Sequence, residues 1–213
     1  MGDQRHPDHP MPNEVLSNLL DGHQRFLSGR RRDRDLPVEV AAGSDGQRPP
    51  IAMVSCIDSR VAPELVFDLG IGEAFDVRLA GAIVDDAALG SLEFACGAVG
   101  SVLLVVVGHT GCGAVKAACD AAAGVDVASG GMSHLPAIVE PILEAVEAET
   151  VTVTDRDSSN AGFVDRVAEI NVHRTIMEIR ERSNLLQGLE DSGRLLIVGM
   201  MYDVRDGAVR VLD

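Results

Sequence analysis

Six consecutive aliphatic residues, Val102 to Val107, constrain this chain more than any other stretch. A half-exposed strand alternates apolar and polar positions, and an amphipathic helix follows the helical turn. A run with no polar position belongs to an element covered on both faces. It is far shorter than the roughly 20 residues that a membrane span requires. The run therefore predicts a central strand, Ser101 to Val107, in a parallel sheet sandwiched between helices.

The rest of the pattern agrees. Short apolar runs at Ile51 to Ser55, Ala74 to Leu79 and Arg194 to Met200 predict further strands, and Arg205-Asp-Gly207 reads as the turn of a terminal hairpin. Between them lie helical patterns: one from Asn13 with Asn13 as N-cap, one capped by Asp85 or Asp86 and running through Ala98, then Ala114 to Ala123, Leu135 to Ala148 and Ser158 to Ser183. The expected fold class is α/β, a mainly parallel sheet of four or five strands flanked by helices, with an N-terminal helical arm. Residues 1–12 read as a flexible tail and 13–213 as a single domain.

Charge narrows the partners. With 18 basic and 33 acidic side chains the formal charge is −15, so the long-range field repels polyanions and anionic lipid. Nucleic acid and membrane are not expected partners. The first residues hold no apolar leader segment, which makes the cytoplasm the expected compartment. In that setting the four cysteines, Cys56, Cys96, Cys112 and Cys119, are read as metal ligands, catalytic groups or apolar filler rather than disulfides.

Two of them stand apart. Ser55-Cys56-Ile57-Asp58-Ser59-Arg60 and Gly108-His109-Thr110-Gly111-Cys112-Gly113 each follow the end of a predicted parallel strand, where open α/β sheets hold their ligands. If those strands are neighbours, Cys56, His109 and Cys112 meet as two thiolates and one imidazole, a donor set suited to Zn²⁺, with water or Asp58 in the fourth position. Cys112 also opens a helix, whose dipole favours its thiolate. Cys96 and Cys119 lie within helices and read as filler. Asp58 either closes the site as a ligand or turns away to hold Arg60.

Here the sequence resembles a known family, the β-class carbonic anhydrases, whose paired signatures C-x-D-S-R and H-x-x-C stand as Cys56 to Arg60 and His109 to Cys112. Residues 72–81, 90–118 and 195–209 also resemble family segments. The resemblance implies reversible hydration of carbon dioxide to bicarbonate and a proton, by zinc-bound hydroxide, with Cys56, His109 and Cys112 as ligands. It implies Asp58 and Arg60 as the catalytic dyad, Gln47 as a substrate-binding amide, and Phe75, Ala80 and Phe94 as apolar pocket walls. A homodimer or homotetramer is implied as well, with the first helix crossing onto a partner and the active site at the interface.

There are departures. Arg78-Leu-Ala-Gly-Ala82 replaces the R-N-A-G-N of many members, Phe94 replaces a tyrosine, and Met53 stands where bicarbonate-regulated members carry tryptophan, although Arg78 and Tyr202 are retained. Other readings of the same residues are a zinc enzyme acting on carbon disulfide or carbonyl sulfide, and a non-catalytic or redox-responsive zinc protein with Asp58 as permanent fourth ligand. The signatures of zinc deaminases are missing.

Overall fold

A computed structural model describes residues 10–212. Most of the expected tail, residues 1–9, lies outside the described residues. Five strands, β1 (Ile51–Ser55), β2 (Ala74–Arg78), β3 (Leu103–His109), β4 (Leu196–Tyr202) and β5 (Val209–Val211), form one sheet in the order β2-β1-β3-β4-β5. The first four are mutually parallel, and β5 returns antiparallel on β4.

The unbroken apolar character of β3 has the cause anticipated from its sequence: every residue of β1 and β3 is buried. Their side chains still alternate. Ala52, Val54, Leu104 and Val106 face one core cluster, which holds Val115, Ile142 and Phe163. Ile51, Met53, Leu103 and Val105 face the other, against Val15, Leu19 and Phe67. The first face is thus covered by α5 (Gly113–Ala122), α6 (Pro136–Ala148) and α7 (Ala161–Arg182), and the second by α1 (Pro12–Leu27) and α3 (Pro63–Val66). Helix α7 packs directly on the sheet backbone. A Cβ at Gly108 would lie 2.4 Å from Val172 Cγ2, and one at Gly199 2.9 Å from Val172 Cγ1, so only glycine allows this approach.

Several boundaries differ from the sequence reading. Helix α1 begins at Pro12 with Met11 as N-cap, not Asn13, because proline presets the first helical φ and needs no amide partner. Helix α4 (Asp86–Glu93) is capped by Asp85, whose side chain accepts from Ala88 N–H at 2.8 Å. Its continuation, residues 94–99, is a wide π-type turn. The long helix starts at Ala161 rather than Ser158, since Asn160 caps it. It ends at Arg182, and Ser183, with its extended backbone and side-chain cap, starts α8 (Asn184–Asp191), a helix not expected from the sequence. Helix α2 (Leu36–Ala42) is not expected from the sequence; it buries none of its residues, so it leaves no apolar stripe to detect.

Strands β3 and β4 each run two residues further than expected, to His109 and Tyr202. That extension matters for function. In the β1/β3 register Ser55 stands opposite Val107, so the next residues along, Cys56 and then the loop beyond, emerge level with Gly108 and His109.

Candidate metal centre

Three side chains meet at the carboxyl end of the two central strands. Cys56 follows β1, His109 closes β3, and Cys112 is the N-cap residue of α5, its sulfur making no capping bond. One ligand atom from each lies within 4.8 Å of the other two, the only such cluster of His, Cys, Asp or Glu among the described residues, and all three residues are buried. The sulfurs of Cys56 and Cys112 are 3.9 Å apart and neither is in a disulfide.

The imidazole is oriented from behind. His109 Nδ1 lies 3.0 Å from the Thr110 carbonyl, which can only accept, so Nδ1 carries the proton and Nε2 presents a bare lone pair. That Nε2 is buried without a hydrogen-bond partner. An orphaned buried acceptor costs free energy, and two sulfurs beside it mark a site built for a cation. With two sulfurs and one imidazole nitrogen, the donor set fits zinc. Without a cation the two thiols share charge unequally. Hydrogen bonding from Cys112 pushes the Cys56 thiol down, and the same bond pushes Cys112 up.

Asp58 and Arg60 form a closed pair beside the cluster. Asp58 Oδ1 accepts from the Arg60 backbone N–H at 2.9 Å and from Nε at 3.0 Å, and Oδ2 accepts from Nη2 at 2.7 Å. The guanidinium holds the carboxyl at about 2. Asp58 Oδ2 stands 3.9 Å from His109 Nε2, so both carboxylate oxygens are turned to Arg60 while the group still borders the cluster. Arg60 Nη2 also reaches the Gly111 carbonyl at 3.4 Å, linking the two loops.

Comparison with known proteins accords with this geometry. A family model described as carbonic anhydrase matches residues 51–209. The chain is 37% identical over 196 residues to Carbonic anhydrase 2 of Mycobacterium tuberculosis, covering 92% of this chain and 90% of the relative. The chain belongs to the carbonic anhydrase family. It is also 36% identical over 195 residues to a carbonic anhydrase of Mycolicibacterium smegmatis, covering 91% and 89% of the two chains. Its fold is that of the β class. It superposes on the β-carbonic anhydrase CcaA with a TM-score of 0.72 at 20% identity, covering 94% of this chain and 88% of that one. Tetrameric β-carbonic anhydrases of the ascomycete Sordaria macrospora give 0.68 at 21% identity and 94% coverage of both. The family is one of lyases, and among the described residues no helix is long and apolar enough to cross a membrane.

In this carbonic anhydrase the other expected site residues separate into two groups. Ala80 sits half-buried in the turn 80–82 beside the metal cluster, next to Gly81, whose N–H donates to Cys56 Sγ at 3.3 Å. Phe75 and Phe94 instead pack edge-to-face on each other, with centroids 6.4 Å apart. Phe75 stands opposite Ala52, four residues before Cys56 and about 13 Å along the strand from it. Phe94 is 56% exposed. Gln47 is exposed in the loop before β1, beyond the end of the strand opposite Cys56. Within one chain, Gln47, Phe75 and Phe94 are not brought to the metal cluster.

The structure gives Arg78 a role and adds Asp165 and Asp203, which the motifs did not point to. Arg78 donates to the carbonyls of Cys56, Asp58 and Val61 at 2.7 to 3.0 Å, and so ties down the C-x-D-S-R loop. Asp165 on α7 accepts the Gly111 N–H at 2.8 Å, and Thr110 Oγ1 donates to Asp203 at 3.1 Å. One signal was available. Arg78 lies at the end of a predicted strand, where a charged side chain must find several acceptors or leave the sheet.

Proposed function

We propose that this chain catalyses the reversible hydration of carbon dioxide to bicarbonate and a proton, with zinc held by Cys56 Sγ, His109 Nε2 and Cys112 Sγ. The observation that carries the reading is the buried, partnerless His109 Nε2 facing two free sulfurs and bordered by an arginine-held carboxylate. Zinc bound there supplies the Lewis acidity that lets water ionise near neutral pH.

The chain's own residues supply orientation. Asp58 is ionised at neutral pH because Arg60 holds it so, and it serves as a fixed hydrogen-bond acceptor for the attacking water-derived nucleophile. Accepting that hydrogen bond aims a lone pair at the substrate carbon. Arg60 keeps both carboxylate oxygens from swinging onto the cluster. The apolar Ala80 turn suits a small substrate without charge.

Gln47, Phe75 and Phe94 act, in this reading, on the site of a neighbouring copy. Strand β2 is an edge with every residue half-buried, and Phe94 is exposed beside it. An assembly of two or four copies would cover that edge and bring these residues to a second metal cluster; the Sordaria relatives are tetrameric.

Stopped-flow measurement of CO₂ hydration on either side of neutral pH, with zinc per chain determined on the same sample, tests the proposal. The expected result is a rate that follows zinc content and disappears on chelation. A chain that holds one zinc and hydrates no CO₂ at any pH overturns it, as does sulfide release from carbon disulfide without CO₂ hydration.

A further inference from the structure

Helix α7 shares no residue with either metal-bearing motif, yet it reaches a ligand sulfur through a single turn of chain. Asn171, buried on the inner face of α7, donates Nδ2–H to the Gly81 carbonyl at 2.8 Å. Gly81 in turn donates its N–H to Cys56 Sγ at 3.3 Å. One helical turn along, Thr175 donates to the Ala82 carbonyl at 3.2 Å. Consecutive carbonyls of the turn 80–82 are therefore tethered to consecutive turns of α7.

Gly81 has little freedom to turn its N–H elsewhere. Its φ is +80°, and a Cβ there would lie 2.6 Å from Ile142 Cδ1 and 3.3 Å from Ala114 Cβ. The residue is wedged between α5, α6 and α7, with its carbonyl fixed by Asn171 and its N–H directed at sulfur. A hydrogen bond to a thiolate is charge-assisted and strengthened in a water-poor interior. It withdraws electron density that the sulfur would otherwise give to a metal.

We propose that Asn171 is a positioning residue for the metal centre: by holding the Gly81 carbonyl it aims the Gly81 N–H at Cys56 Sγ, and so sets the charge that this thiolate donates. The inference rests on the zinc reading above and adds to it a residue outside both signatures. Thr175 is the internal comparison. It tethers the same turn, but through Ala82, whose N–H bonds to the Leu79 carbonyl rather than to sulfur.

The test uses the full chain loaded with Co²⁺, whose thiolate charge-transfer band reports sulfur donation directly, together with competition against a chromophoric chelator. Asn171→Leu and Asn171→Ala are compared with Thr175→Val, and thermal unfolding of each loaded variant verifies folding. Both Asn171 variants are expected to shift the band and weaken metal binding by roughly 10- to 100-fold, the range for residues that orient a metal ligand. Thr175→Val should lower the unfolding temperature while leaving band and affinity at the parent values. A folded Asn171 variant with the parent band and affinity overturns the inference and leaves the zinc reading standing. So does a Thr175→Val band shift as large as that of Asn171→Ala. A parent chain that takes up neither cobalt nor zinc overturns both.

Discussion

Replacing Asp58 by asparagine keeps the shape of the side chain and removes the charge that Arg60 holds. The native carboxylate accepts three hydrogen bonds from Arg60, at 2.9, 3.0 and 2.7 Å. The guanidinium keeps it ionised down to about 2, so at neutral pH it can receive a hydrogen bond but cannot donate one. In Asp58→Asn the amide oxygen can take the place of Oδ1, which accepts two of the three bonds, and the NH₂ group then replaces Oδ2, against the Arg60 Nη2 donor and 3.9 Å from His109 Nε2. An acceptor becomes a donor at the point where the nucleophile needs to be held. A hydrogen bond to a charged group contributes about 1.5–3 kcal/mol. At about 1.4 kcal/mol per factor of ten, turnover should fall roughly 10- to 150-fold. The three metal ligands are untouched, so zinc per chain should stay at the parent level. Stopped-flow CO₂ hydration with metal analysis reads both quantities. Unchanged turnover at full zinc would show that Asp58 plays no part in the reaction, and loss of zinc together with activity would make Asp58 a ligand instead.

His109→Ala and Cys56→Ser should both lose metal and activity together, since a site reduced to two strong donors holds zinc poorly; equilibrium dialysis against zinc checks this, and retained activity in a metal-free variant would refute the ligand set. Asp76, on β2, accepts the Ser55 hydroxyl at 3.1 Å and is pushed up to about 6, mainly by burial and then by the charge of Glu64. The folded state therefore binds this proton more tightly than the unfolded one, so the contribution of Asp76 is present in acid and stability falls as pH rises through about 6. Asp76→Asn should raise the urea midpoint well above that pH and leave it little changed in acid, and an equal gain at both would refute the assignment. Gly81→Ala should cost about 2–5 kcal/mol, combining roughly 1–2 for a left-handed non-glycine residue with about 1–3 for overpacking. Its urea midpoint and metal affinity should fall together; a variant as stable as the parent would contradict the close approach of Ile142.

The parts of this fold that bury a continuous surface were legible in the sequence. Val102 to Val107 has no polar position because helices cover both faces of β3, and the same logic located β1 and β4. The convergence of Cys56 with His109 was legible only conditionally. Each lay at a strand end, but that they share one site depends on β1 and β3 being neighbours in register, a non-local pairing that no local pattern encodes. Helix α2 escaped because it buries nothing, and α8 because its eight residues bury only Leu186 and Leu189.

Asn171 shows where more could have been read. It falls on a stripe of α7 otherwise occupied by Val164, Val167, Ala168, Val172 and Thr175, all buried. A side-chain amide on the apolar face of a helix cannot face water, so it must have a hydrogen-bond partner inside the protein. The sequence therefore contained evidence that something polar waits beneath α7. What it lacked was the identity of the partner, because Gly81 lies 90 residues away along the chain and reaches the helix only after the sheet has brought β2 to the edge beside β1. Signatures built from local spacing capture the groups that touch a metal, since those cluster at strand ends. Groups that aim the ligands come from wherever the core happens to place a helix, and a polar residue on an apolar stripe is the local mark they leave.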